Sequence, residues 1–353
     1  MFTFLKAAAN RLRRAAPVAV VAALSLAACG GGSGGYGGGG GNVPVSGVGP
    51  SKLFAADSTD RVVGSLANPV PATGPLTVDR LIGPQPGAIP YNYAGFSTSI
   101  GSLALDTTRD YLYAGNGTSV LVFHGASTAN GDIFTSAAFG PIGNTGSMFL
   151  DAANDRLYVG DDNVDVKVFS GASTASGSPT PRHITGLTAP IRGVAVDTTK
   201  NILYVSNDTT TPVLSHQISV FLNADTVTTA PPIRTITPTV STVNLPVGGI
   251  SLDATHDLLY VAPGSSSNAI MVFSTASAAN GAIAPAKTLT VTSTPGILNV
   301  VVDAANDRLY AVGSNGHIYL VEAVSTLSSG TATAKDASLS NGGTLTAVAI
   351  NPL

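Results

Sequence analysis

The chain has 353 residues, of which only 10% are charged, with 40 glycines, no tryptophan and a formal net charge of −3. That length admits two average domains or one large all-β domain, and a composition dominated by Gly, Ala, Ser, Thr and Val suits short strands and tight turns better than helices. No basic excess is present to serve as a nucleic-acid footprint, and the same lack argues against binding of the folded body to anionic lipid. At the start of the chain, Lys6, Arg11, Arg13 and Arg14 precede an apolar run over residues 18–28. A basic region, an apolar run and a small-residue exit make the layout of a secretory signal peptide. The run has 11 residues, against the ~20 needed to span a membrane. Removing residues 1–28 takes four basic and no acidic residues, which moves the formal charge from −3 to −7.

Leu26-Ala27-Ala28-Cys29 resembles the bacterial lipobox. The resemblance implies cleavage before Cys29 and a diacylglycerol thioether on its sulfur; the alternative is a free thiol at the end of the apolar run. Cys29 is the one cysteine of the chain, so it has no disulfide partner within it. Two or more acyl chains give a stable anchor. Residues 30–41 hold ten glycines, which cannot bury a core, so residues 29–50 read as the lipidated cysteine and a flexible tether. Gly30 follows the cysteine where inner-membrane lipoproteins of enterobacteria carry Asp. That likeness implies an outer-membrane lipoprotein of a bacterial envelope, facing the periplasm or the cell surface.

From residue 51 onward the chain is periodic. LALDTTRDYLYAG from Leu103, MFLDAANDRLYVG from Met148, VAVDTTKNILYVS from Val194, ISLDATHDLLYVA from Ile250 and VVVDAANDRLYAV from Val300 share one pattern, with the first Asp spaced by 45, 46, 56 and 50 residues. Such a period belongs to β-propeller blades. Each copy predicts an antiparallel hairpin whose first strand ends at the Asp and whose second begins at Leu-Tyr. A third strand follows at Val120, Val166, Ile218, Ile270 and Ile318. A small polar segment with a helical turn (GASTANG, GASTASG, STASAANG) comes next, and segments such as HITG, RTIT and KTLTV supply a fourth, outer strand. TAVAINPL from Thr346 repeats the first strand with Asn351 in the Asp place, and KLFAADSTDRVVGS from Lys52 supplies the second and third with Phe54 in the Tyr place. Joining the two ends completes a sixth blade, so residues 51–353 are expected to form an all-β, six-bladed β-propeller with velcro closure, which leaves no unpaired end blade. An open β-solenoid is the competing fold.

LYVGDDNVDVKVF and LFAADSTDRVV resemble the core of NHL and YVTN repeat propellers. Asp106, Asp151, Asp197, Asp253, Asp303 and Asn351 are expected to fix the turns by accepting backbone N–H bonds; a six-fold acidic ring holding a cation is the alternative. Tyr113, Tyr158, Tyr204, Tyr260, Tyr310 and Phe54 are expected to pack between blades.

Catalytic groups are scarce. The channel-facing places of the inner strands hold Ser102, Ser147, Gly193, Gly249, Asn299 and Ala347, then Ala104, Phe149, Ala195, Ser251, Val301 and Ala349, with no carboxylate among them. Resemblance to six-bladed lactone hydrolases implies a channel Ca²⁺ held by Glu, Asn and Asp, a set these positions lack. Glu322 has no evident partner, and the five histidines fall at different repeat positions, as isolated surface groups. Asp161, Asp162, Asn163 and Asp165 form an acidic loop, solvated or holding Ca²⁺ weakly. The expected binding rim is the channel mouth, where Asn116, Asp161, Asp162, Asn163, Asp165, Arg192, Asn207, Asp208, Asn299 and His317 converge. It is expected to bind a neutral or cationic small ligand or a protein partner, with no catalytic residue and no cofactor. The alternative function is a Ca²⁺-dependent lactonase-like hydrolase.

Overall fold

The structure is a computed structural model and describes residues 52–67, 74–76, 78–84, 95–97, 100–143, 145–161, 164–187, 189–209, 215–240, 243–244, 246–265, 267–339 and 344–350. The expected leader and tether, with Cys29, and also Asp162, Asn163 and Asn351 lie outside them.

Alternating β-formers and polar turns fold as the period predicts. Six antiparallel sheets follow one another, each built on four strands. The first takes its innermost strand, Leu345–Ile350, from the far end of the chain and pairs it with Lys52–Asp57, then adds Val62–Ala67 and Arg80–Ile82. Blade two runs Ile100–Asp106, Tyr111–Asn116, Ser119–His124 and Ala137–Phe139, and blade three Thr145–Asp151, Arg156–Asp161, Val166–Ser170 and Arg182–Ile184. Blade four is built from Ile191–Asp197, Ile202–Thr209, Ser215–Leu222 and Arg234–Val240. Ile250–Asp253, Leu258–Val261, Ala269–Ser274 and Lys287–Thr290 form blade five, and Ile297–Asp303, Arg308–Gly313, Ile318–Glu322 and Ala334–Leu339 blade six.

The core is not one mass but six clusters, each shared by neighbouring blades. Tyr113 packs with Leu157 and Phe169, Tyr158 with Leu203 and Phe221, and Tyr204 with Leu259 and Phe273. Tyr260 joins Leu309 and Val321, Tyr310 joins Leu53 and Leu66, and Phe54 joins Leu112 and Phe123. The six rings are at most 1% exposed, which makes them core between blades rather than a stacking surface. Burying such a ring contributes about 1.5–3 kcal/mol.

The five turn aspartates of blades two to six are consumed by their own hairpins. Asp106 Oδ1 accepts the N–H of Thr108 and of Arg109, both at 3.0 Å, Asp197 Oδ1 those of Thr199 and Lys200, and Asp253 Oδ1 those of Thr255 and His256. Asp151 and Asp303 accept from Asn154 and Asn306, each at 3.2 Å. The other carboxylate oxygen faces the side chain three residues on: Arg109 at 2.7 Å, Asn154 at 2.8 Å, Lys200 at 3.6 Å, His256 at 2.6 Å and Asn306 at 2.9 Å. These carboxylates are buried and engaged in their turns, as expected of a structural role and not of a cation-binding ring.

The second polar residue of the repeat explains the small polar segment. Asp110, Asp155, Asn201, Asp257 and Asp307 all have left-handed backbone, with φ of 58°, 51°, 56°, 54° and 52°, a region that Asn and Asp tolerate best among residues with a Cβ. Four of them hold a serine through both its N–H and its hydroxyl: Ser127, Ser173, Ser277 and Ser325. In blade four Asn201 accepts instead from the N–H of Asp225, at 3.0 Å. The first turn of each of these blades is thereby tied to the segment after its third strand, and the helical turn expected there is a 3₁₀ turn at Ala172–Thr174 in blade three.

That segment then protects an edge. Gly281–Ile283 lies parallel to the outer strand of blade four, Gly330–Thr331 to that of blade five and Gly74–Leu76 to that of blade six. Single bridges Ile82 to Gly131, Phe139 to Gly177 and Thr185 to Thr229 do the same for blades one to three. Each outer strand is capped by the connection of the following blade, which masks the edge a sheet would otherwise offer to another chain.

Candidate site at the channel mouth

Antiparallel order places the turns between second and third strands on the same face as the segments leading into the inner strands. On that rim the repeat is least regular.

Asn116, Asp161 and Asn207 occupy one repeat position, the end of the second strand, and all three are buried. They are braces. Asn116 donates to the carbonyl of Gly95 at 2.9 Å, and Asp161 accepts the N–H of Gly143 at 3.0 Å, each fastening its hairpin to the lead-in of its inner strand. Asn207 Oδ1 accepts from Ser219 Oγ at 3.1 Å, while its buried Nδ2 has no hydrogen-bond partner among the described residues.

Of the acidic loop of blade three, the two described carboxylates, Asp161 and Asp165, are buried rather than solvated. The Asp161 side chain is fully buried and paired with the Lys167 ammonium, which also lies 3.9 Å from Asp165. Asp165 in turn pairs with His183. Burial works against the ionised form of Asp161, but hydrogen bonds from Lys167 and the Gly143 N–H outweigh it and hold its carboxyl below the usual carboxylate range. Burial and the neighbouring Asp161 push the Asp165 carboxyl the other way, above that range, in spite of His183. The sequence missed Lys167 because its role depends on a cross-strand neighbour, not on a recurring type.

Histidines expected to be isolated are paired. His216 Nδ1 lies 2.8 Å from Asp208, off the line of a good hydrogen bond, His317 lies 2.8 Å from Asp336, and His256 2.6 Å from Asp253. His124 stacks on Tyr111 with ring centres 3.8 Å apart. Glu322, too, has a partner, Lys335 at 3.0 Å.

Two cavities adjoin the inner strands and their lead-ins. The first is the central channel, about 240 Å³, lined by all six inner strands; Ser102, Ser147, Ser251 and Asn299 are its polar groups, and among the described residues no ionisable side chain lines it. Ser147 and Ser251 accept N–H bonds from Val194 and Val302 in the next inner strands, both at 3.0 Å. Asn299 accepts from the N–H of Val300 at 2.8 Å, in space that a Cβ at Gly249 would fill, 2.0 Å from its Oδ1. Among the described residues no three His, Cys, Asp or Glu side chains gather as metal ligands would.

The second cavity, about 450 Å³, lies on the rim over blades four to six and is lined by Arg192, Asp208, His216, Leu298 and the backbone around Gly248 and Gly264. Of the expected rim residues that the structure describes, only Arg192 and Asp208 meet here. Asn299 belongs to the channel, and Asn116, Asp161, Asp165 and His317 line neither cavity.

No family model matches the chain, and no curated protein does. Solved structures do: a chain of the nidogen/laminin complex superposes with a TM-score of 0.55 at 14% identity, covering 86% of this chain and 98% of that one. The WD40 β-propeller domain of Doa1 gives 0.51 at 12% identity, covering 82% and 80%. With the blade order above, they establish an all-β, six-bladed β-propeller. Identities this low carry the fold alone.

Proposed function

We propose that the chain is a lipid-anchored propeller of the bacterial envelope that binds a protein or small ligand at its channel mouth without turning it over. The observation that carries this reading is the rim cavity of about 450 Å³, where side chains from successive blades converge on a fold that offers such mouths as binding platforms. Pairing of Leu345–Ile350 with Lys52–Asp57 supports a velcro closure, which gives that platform a rigid frame. The repeat core supports kinship with NHL and YVTN propellers, and the lipobox-like Leu26-Ala27-Ala28-Cys29 supports attachment at Cys29, with the glycine tether carrying the body away from an outer-membrane surface.

Two experiments test the proposal. Cells fed a labelled fatty acid are expected to label the wild-type protein and not Cys29→Ser; an unlabelled wild type removes the anchor. A panel of lactones and phosphotriesters, with and without Ca²⁺, is expected to show no turnover. Metal-dependent hydrolysis that disappears in Asn299→Ala would promote the lactonase-like alternative.

A further inference from the structure

The lead-in to the inner strands departs from its own repeat at two places. Five residues before the turn Asp, three blades carry glycine, at Gly101, Gly146 and Gly248, and blade one carries Thr346. A Cβ on those glycines would stand 2.4 Å from the Thr145 carbonyl oxygen, 2.8 Å from that of Ile191 and 2.8 Å from that of Leu298, because neighbouring inner strands approach closely there. Blades four and six place Arg192 and Leu298 at this position instead, both exposed, on either side of the bare Gly248. The hairpins reinforce the asymmetry. Blade four has two eight-residue strands, Ile202–Thr209 and Ser215–Leu222, which raise Asp208 and His216 above the mouth. In blade five the second strand stops at Val261, ahead of Pro263 and Gly264. A tall hairpin beside a low one makes the hollow, which Gly248 lines where its backbone approaches that of Leu298.

We infer that this hollow takes a small organic carboxylate with an apolar body, rather than the neutral or cationic ligand expected from the sequence, its carboxylate on Arg192 and its body against Leu298, Pro246 and Pro263; this rests on the reading of the mouth as a binding site. Arg192 makes no hydrogen bond or ion pair with the described residues and lines the cavity with its donors unspent. The one carboxylate there, Asp208, already faces His216 at 2.8 Å. A guanidinium presents a planar fork of N–H donors that matches a carboxylate bidentately. Asp208 across the hollow disfavours a dianion such as phosphate more than a monoanion, and the proline and leucine walls favour a carbon skeleton over a hydrated inorganic ion. A cavity of about 450 Å³ is within the ~300–1,000 Å³ of small-molecule sites.

The test uses 3-phenylpropionate and its uncharged isostere 3-phenylpropionamide, titrated by NMR and by calorimetry into the folded protein. The acid is expected to bind about 10-fold tighter than the amide, equivalent to about 1.4 kcal/mol, and to shift the amide signals of Gly248 and Gly264. Arg192→Gln is expected to bring the two affinities together with the melting temperature unchanged, and Arg192→Lys to keep part of the preference. Equal binding of acid and amide to the wild type overturns the carboxylate assignment while leaving a ligand-binding mouth. A preference that survives Arg192→Gln overturns it as well, and so does the absence of any shift with either compound; in that last case the binding-module reading stands or falls separately, on the hydrolysis panel.

Discussion

On the face that carries the turns between first and second strands, Asp106, Asp151, Asp197, Asp253 and Asp303 all do the same thing, whereas on the mouth face the residues at one repeat position are glycine, threonine, arginine or leucine. The turn face holds its carboxylates against backbone N–H groups and the residue three further on, so little of their hydrogen-bonding capacity remains for a ligand. At the mouth, Arg192 keeps its donors and lines a cavity together with Gly248 and Leu298. In a repeat protein, recurrence marks what every blade needs in order to pack and turn. Binding groups are to be sought where a blade breaks the pattern, since a lone departure serves no blade but its own.

The comparison can be broken most severely at the paired ends. Deleting residues 345–353 removes the buried Leu345, Ala347, Val348 and Ala349 and strips Lys52–Asp57 of its inner partner. Against a total stability of ~5–15 kcal/mol for a domain, loss of a whole inner strand is expected to abolish the single cooperative melt and to bring aggregation. An unchanged calorimetric transition in the truncated protein would favour the open solenoid.

A smaller effect separates the two faces directly. Asp257 sits at φ 54° and accepts from Ser277 N and Oγ at 3.0 and 2.7 Å and from Lys200 at 3.1 Å. Burial disfavours its charge, but Ser277 and Lys200 outweigh that and hold its carboxyl below the usual range. Asp257→Ala leaves a Cβ in the left-handed region and strands the serine, so about 1–3 kcal/mol should be lost in urea denaturation, and less in Asp257→Asn. Arg192→Ala, on the mouth face, should stay within ~0.5 kcal/mol of the wild type. Equal costs at the two positions would erase the division between structural and binding faces.

The smallest expected effect is a pH dependence of the turn face. The hydrogen bond to Asp253, then its charge, raise the pKa of His256 above its ordinary value. A raised folded pKa contributes stability that is fully present below the unfolded value of ~6.5 and is lost as pH rises through the folded one. The urea midpoint of the wild type should therefore fall slightly between pH 5.5 and pH 8.5, and His256→Gln should lack that component. Identical pH profiles for the two proteins would mean that the pair contributes nothing to folding.

Much of this molecule was legible from one sequence because its units are local. Period, strand alternation, the Asp turns and the Tyr positions are fixed by residues within one blade, and a physical rule that repeats along the chain betrays itself by repetition. The two polar termini of the hairpin motif could also have been read together: the left-handed Asp and the serine of GAST recur at nearly the same offset in blades two and three, 17 residues from Asp110 to Ser127 and 18 from Asp155 to Ser173. Pairings made once emerge only in the folded chain. Lys167 neutralises Asp161 across a hairpin, Asp336 reaches His317 from an outer strand, and Glu322 finds Lys335; a single contact leaves no periodic trace. Asp161 therefore looked like a solvated ligand in the sequence and proved to be a buried brace, and the rim cavity took shape only when Arg192, Gly248 and Leu298, drawn from three blades, came to lie side by side. Local hydrogen bonds and alternation are written in neighbouring residues, while a binding hollow depends on how far each hairpin rises beside the next, which no single segment encodes.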